Sequence, residues 1–442
     1  MQIQLSDHFT YGKLFRFTLP SVVMMIFTSI YGVVDGFFVS NFIGKTTFAA
    51  VNFIWPLLMM LGAVGFMFGA GGSALVAKTL GEGDREKANK LFSLVVYVSI
   101  ACGIVITVFG LIFIRPIVAL LGAEGQMLED AVLYGRVLLL TLTPFMLQME
   151  FQSFFITAER PNLGLWVTVA SGVTNMVLDA LLVAVFPLGI IGAAMATALS
   201  QAVGGILSLI YFFCPQKSLL RLTKTRFYGK ELLKACTNGS SELMSNISMS
   251  LVSMLYNFQL MRYAGEDGVA AYGVLMYVCM IFISIFIGYS IGTAPLIGYN
   301  YGAENHAELK NLLKKSNILI GICSFLMLGL SLILAAPLSK LFVGYDPALL
   351  EMTRRAFYIF SFSFAFSGMA IFGSSFFTAL NNGLISAFMS FMRTLVFQVA
   401  AVIFLPVIFD IDGIWYSIVV AELLAFVVTL SFMIGQRKRY HY

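Results

Sequence analysis

The sequence predicts an all-α membrane protein: twelve transmembrane helices arranged as two parallel six-helix repeats, an N-lobe and a C-lobe, around a central cavity. Three observations predict it. The 442 residues are 59% hydrophobic and only 11% charged, where a soluble chain carries about a quarter. Apolar runs of roughly 20 residues, long enough to span a bilayer at about 1.5 Å per residue, recur along the whole chain. A shift of 221 residues lays one half of the chain on the other. A β-barrel is excluded, because its strands would be about 10 residues long with alternating polarity.

The elements follow in order. Segment 1 (14–40) carries Pro20 early and Asp35 late. It is too long for a removable signal peptide and lacks a suitable small-residue cleavage site. Segment 2 is 48–77; the charged loop LGEGDREKANK then leads to segment 3 (91–114). Segment 4 (132–157) has Tyr134 at its start and Glu150 in its second half. Segment 5 (163–186) contains Asn175 and Asp179, and segment 6 (189–213) contains Thr197. The longest charged connection, 214–234, divides an N-terminal unit (1–213) from a C-terminal one (235–442). Segments 7 to 12 are 235–261, 268–298, 316–336, 353–379, 384–409 and 413–435.

The duplication rests on matches at one offset. Gly44 meets Gly265, Ala49-Ala50 meets Ala270-Ala271, Gly81 meets Gly302, and Pro116 meets Pro337. SFFITA (153–158) meets SSFFTA (374–379). Six spans per repeat give both repeats the same orientation, the parallel-repeat plan of many secondary transporters. Loop charge sets that orientation. With the N-terminus inside, the inner side holds 19 Lys and Arg, including Lys217 and the tail Arg437, Lys438 and Arg439; the outer side holds 7, including Lys45. Both termini are therefore expected in the cytoplasm of a cell-membrane protein. The net charge of +5 reflects these loops and gives no reason to invoke nucleic acid. Five cysteines without pair spacing and three histidines outside the apolar runs point away from disulfides and zinc.

Charges inside the spans carry the functional signal, since each costs about 2.5–3.5 kcal/mol to insert. Asp35 lies roughly 8 Å below the outer end of its segment, Asp179 roughly 10 Å and Thr197 roughly 12 Å. Asn175 is one turn from Asp179 on the same helix face, and Tyr134 lies near the same outer level. Two carboxylates, an amide and two hydroxyls make a hard-oxygen site that can bind Na⁺ or hold a proton. In the second repeat Asp35 maps to Tyr256, Asn175 to Val396, Asp179 to Ala400 and Thr197 to Ile418. The fold is duplicated and the cluster is not, which favours one ion site in the N-lobe. Glu150 is either structural or functional. Glu242, near the cytoplasmic start of segment 7, is either a solvated acid at a helix start or functional. Arg393 and Glu422, in adjacent segments, either form a buried ion pair or act in gating or substrate binding. Pro20 removes a backbone hydrogen bond and permits a bend.

FTLPSVVMMIFTSIYGVVDGFFVSNFIG, NMVLDALL and LGIIGAAMATALSQ, in this order within two six-span repeats, resemble the multidrug and toxic compound extrusion (MATE) family, most closely its bacterial MepA-like branch. The resemblance implies export of cationic, often aromatic small molecules in exchange for Na⁺ or H⁺, with no further cofactor. It implies a cation site at Asp35, Asn175, Asp179 and Thr197 with Tyr134 beside it, and a bending proline at Pro20. The chain departs from the NorM-like branches, which carry acids in the middle of segments 7 and 10. A lipid-linked oligosaccharide flippase of the same superfamily is the rival transporter reading, disfavoured by twelve spans and few interior basic residues. An intramembrane protease is disfavoured because GEGD (81–84) and Tyr345-Asp346 lie in loops on opposite sides. The chain is expected not to be an enzyme, and to act as a monomer in the bilayer.

Overall fold

The computed structural model describes residues 3–43, 45–214 and 218–442. Gly44 and Lys217 lie outside these, as do the side chains of Lys45 and Ala49. The described residues are helical almost throughout. The N-lobe contains α1 (Tyr11–Phe42), α2 (Lys45–Gly81), α3 (Arg85–Leu120), α4 (Gly125–Leu140 continued by Leu142–Thr157), α5 (Pro161–Val185) and α6 (Gly189–Phe213). The C-lobe contains α7 (229–264), α8 (266–302), α9 (His306–Val343), α10 (Pro347–Ser361 continued by Phe364–Ala379), α11 (383–409) and α12 (411–435). α7 and α8 run into one another with a break only at Gly265, whose φ is 63°; α11 and α12 do so at Asp410, whose φ is 51°. The twelve predicted spans are all present, most of them a few residues longer than their apolar cores.

Two spans hold a bend that hydropathy does not show. α4 turns by 58° at Thr141 and α10 by 49° at 362–363. Pro144, in the first turn of the second half of α4, has no N–H to leave stranded there. Both penultimate helices of the repeats, α5 and α11, contain a π segment, Ala180–Val185 and Met392–Val396. The two lie at different heights.

The duplication is written into the backbone. α2 and α8 have the same length at an offset of 221. Asp84 caps α3 by accepting from Lys87 N–H, and Asn305 caps α9 by accepting from Glu308 N–H. Such caps satisfy amides that the helix cannot. Left-handed residues recur in pairs as well: Gly83 with Glu304, Gly189 with Asp410, and Glu159 with Asn381.

The lobes join at the end of the molecule that holds both chain termini. There the contact runs backbone to backbone through glycines. Gly71 of α2 faces Ala235 and Gly239 of α7, and Gly239 in turn faces Met67. Gly81 lies on Tyr299 and Ala303, and its repeat equivalent Gly302 lies on Lys78. Gly288 and Gly292 of α8 pack on Thr18, Ser21 and Val22 of α1, on either side of Pro20. Small residues let membrane helices approach this closely. Asn381 adds a hydrogen bond to the Ala74 carbonyl (3.1 Å), and halfway along the bundle Ser29 Oγ meets Ser284 Oγ. Among the described residues, no inter-lobe hydrogen bond lies further from the termini than Ser29 and its partners. Beyond that level Ile30, Val33 and Phe37 of α1 are exposed, and the lobes part.

A side chain at Gly71 would overlap the α7 backbone, and overpacking of this kind costs about 1–3 kcal/mol. Gly71→Val is expected to depopulate the form closed at the termini end. Spin-label distances between α2 and α7 should lengthen there. Gly321→Ala, which meets nothing within 4 Å, should leave those distances unchanged.

Candidate functional site

The predicted cluster assembles in the N-lobe. α5 presents a buried stripe, Thr168, Ser171, Asn175 and Asp179, at three- and four-residue spacing. α6 brings Thr197 against it, and α1 brings Asp35. Asn175 Nδ2 donates to Asp35 Oδ1 at 3.4 Å and Thr197 Oγ1 donates to the same oxygen at 3.2 Å. The Asp179 carboxylate stands beside that of Asp35. Tyr134, 1% exposed on the first half of α4, reaches the cluster next to Thr197. All five predicted residues are therefore brought together.

The cluster is under-satisfied. Both carboxylate oxygens of Asp179, the amide oxygen of Asn175 and the hydroxyl of Tyr134 are buried without a hydrogen bond of good geometry. A buried polar group left unpaired costs about 1–3 kcal/mol, more when charged. Two facing carboxylates cannot both be charged without a cation to separate them. The unpaired atoms are hard oxygens, the donor type that suits Na⁺ or a shared proton. A π segment begins directly after Asp179, and such widened turns occur frequently at functional sites.

A second layer behind the cluster was not anticipated from the sequence. Ser171 Oγ donates to the Ser200 carbonyl at 2.7 Å, Gln148 Nε2 donates to Ser171 Oγ at 3.1 Å, and Ser200 Oγ donates to the Thr197 carbonyl at 2.8 Å. This chain ties α4, α5 and α6 together one turn below Asn175. The signal was the four-residue step from Asp179 through Asn175, which continues to Ser171.

The remaining charges separate by environment. Glu150 is fully buried on the second half of α4, beyond the bend from Tyr134, and its oxygens are unpaired; it adjoins Ser99 and stays apart from the cluster. Arg393 and Glu422 form an ion pair, with Nε 3.2 and 3.0 Å from the two carboxylate oxygens. The reading of Glu242 as a solvated helix-start acid is corrected. α7 begins at Gly229, well before the apolar core suggested, so Glu242 sits in its fourth turn and feels Arg393. α1 runs without interruption through Pro20. The C-lobe counterpart of Asp35 is settled: Tyr256 is buried, stacks on Tyr272 at 5.5 Å and donates its hydroxyl proton to Gln398 Oε1 at 2.7 Å.

A duplicated twelve-helix bundle with a buried pair of carboxylates in one lobe, and Tyr256 and Ala400 at the equivalent positions of the other, has the architecture of a secondary transporter. The MatE family model matches the chain twice, over residues 20–181 and 243–403, one match in each lobe. The chain belongs to the MATE family. It is 24% identical over 413 residues to the multidrug export protein MepA of Staphylococcus aureus, covering 93% of this chain and 91% of that protein. Its likeness to MepA of Staphylococcus haemolyticus is also 24%, over 435 residues, covering 97% and 94%. Among solved structures it superposes on a MATE protein in complex with MaL6 with a TM-score of 0.92 at 23% identity, covering 98% of each chain. It superposes equally, at 0.92 and 23% identity over 98% and 97% of the two chains, on the outward-facing conformation of a multidrug resistance MATE family transporter.

Removing one partner of a buried ion pair leaves a bare charge and costs about 3–5 kcal/mol, whereas replacing both with apolar residues is close to neutral. Arg393→Met is therefore expected to destabilise the purified protein on thermal unfolding. Arg393→Met with Glu422→Leu should recover most of the loss. No recovery in the double variant would show that the pair does more than neutralise charge.

Proposed function

We propose that this protein is a secondary antiporter that exports cationic and amphipathic drugs in exchange for H⁺ or Na⁺. Asp35, Asn175, Asp179, Thr197 and Tyr134 form its coupling site. The observation that carries the reading is the set of buried, unpaired oxygens around Asp179, found in only one lobe of a duplicated fold. The names of the relatives, multidrug export proteins over more than nine-tenths of the chain, support the drug substrate class.

The excess of Lys and Arg at the termini end supports cytoplasmic termini in the cell membrane. In that orientation the lobes are joined on the cytoplasmic side and apart on the outer side, an outward-open form. The N-terminal lobe takes residues 1–213 and the C-terminal lobe 235–442; the connection 214–234 ends in the first turns of α7, the C-lobe helix that begins at Gly229. A cation entering from outside neutralises Asp35 and Asp179 and supplies the partner that Asp179, Asn175 and Tyr134 lack. Drug leaves to the outside, the lobes rock, and the cation is released inward. Exchange depends on the cation and the drug favouring different states of the protein. Pro20 leaves α1 one backbone hydrogen bond short, in the stretch that α8 glycines press upon. This gives α1 a place to yield as the seam parts. Glu150 and the Arg393–Glu422 pair serve structure, and the protein works as a monomer.

The test is dye efflux from proteoliposomes under an imposed Na⁺ or pH gradient, applied one at a time. One gradient should drive export. Asp35→Asn and Asp179→Asn should each abolish the driven component while the protein remains folded and monodisperse. Full driven efflux by both variants would refute the site.

A further inference from the structure

At the termini end the tips of α2 and α3 face the start of α7 across a cavity of about 240 Å³. Its walls include Lys78 and Lys87 from the N-lobe and Lys230 and Lys234 from α7, with Glu82 and Glu231 as the only acids. Four lysines against two glutamates leave an excess of two positive charges. Lys78 is paired with Glu82 at 3.3 Å and lies over the Tyr301 ring. Among the described residues Lys87, Lys230 and Lys234 have no ion-pair partner. Lys230 and Lys234 are four residues apart, on one face of α7. Lys230 and Glu231, in the first turn of α7, both line the cavity. Lys234 is repelled by Lys78 across the gap between the lobes, an effect that Glu82 and Glu231 partly offset.

Two exposed apolar side chains neighbour these lysines in the chain: Phe227, 74% exposed, just before α7, and Leu233, 69% exposed, directly before Lys234. A phosphate needs only the lysines. A phospholipid also has acyl chains, which the two apolar side chains can meet. Basic pockets at the ends of transmembrane helices are where anionic headgroups bind. We infer that this cavity takes the phosphate of an anionic phospholipid headgroup, bridging Lys78 and Lys87 of one lobe to Lys230 and Lys234 of the other. The bound phosphate replaces repulsion between the lobes with attraction and holds the termini end closed. The site is distinct from the cation cluster, and its test needs no transport.

Full-length protein in a neutral detergent is titrated with short-chain phosphatidylglycerol, with phosphatidylcholine, and with inorganic phosphate. Phosphatidylglycerol should bind the wild type. Lys230→Gln with Lys234→Gln should weaken that binding about thirtyfold, since each interfacial lysine contributes roughly fivefold. Lys230→Arg with Lys234→Arg should retain it. Spin labels on Asn162→Cys and Lys310→Cys, in a cysteine-free background, should report a larger closed fraction when phosphatidylglycerol is added to wild type but not to the Gln variant. Inorganic phosphate binding as tightly as the lipid would keep the anion site and overturn the lipid as its occupant. Equal phosphatidylglycerol binding by the wild type and a folded Gln variant would overturn the inference.

Discussion

In a membrane interior no water is available to satisfy a polar group, and much of this structure follows from that constraint. A buried carboxylate, amide or hydroxyl either has a partner within the protein or costs free energy until one arrives. The C-lobe pairs two of its buried polar sites internally. Arg393 and Glu422 neutralise one another, and Tyr256 bonds to Gln398. The N-lobe pairs its own only in part. Asp35 accepts from Asn175 and Thr197, but Asp179 and Tyr134 are left over. The same backbone plan thus holds unpaired buried carboxylate oxygens in the N-lobe and a neutral Tyr256–Gln398 pair at the position equivalent to Asp35.

Stiffness around the N-lobe cluster comes from the layer behind it. Gln148, Ser171 and Ser200 fasten α4, α5 and α6 together, so the cluster is mounted on a rigid three-helix wedge. Asp35 arrives from α1, which is also the helix that α8 grips through Gly288 and Gly292. The cluster and the seam therefore share one helix, α1, near its two ends.

Most of the fold was legible in the sequence because membrane spans announce themselves by length and hydropathy, and because one offset repeated itself. The cluster was legible because charge is rare in spans, so Asp35 and Asp179 stood out and depth alone brought Asn175, Thr197 and Tyr134 alongside. What escaped was everything carried by common residues. Ser171, Ser200 and Gln148 are ordinary in composition and become meaningful only through geometry. The bends at Thr141 and 362–363 leave hydropathy unchanged. Glu242 was misplaced because α7 starts in polar sequence, where charge pattern marks a loop as readily as a helix end.

The glycine seam has a consequence for reversibility. A joint built from backbone surface has few side chains to repack when it opens and few polar groups to strand. The glycine contacts along α2, α7 and α8 are van der Waals in kind, each worth only about 0.1–0.2 kcal/mol per atom pair; Asn381, Ser29 and the Lys78 ammonium over the Tyr301 ring add a few polar ones. Such a surface can separate and re-form many times without passing through a badly solvated intermediate. What such a joint loses on opening is mostly close contact, which returns whenever the two surfaces meet again.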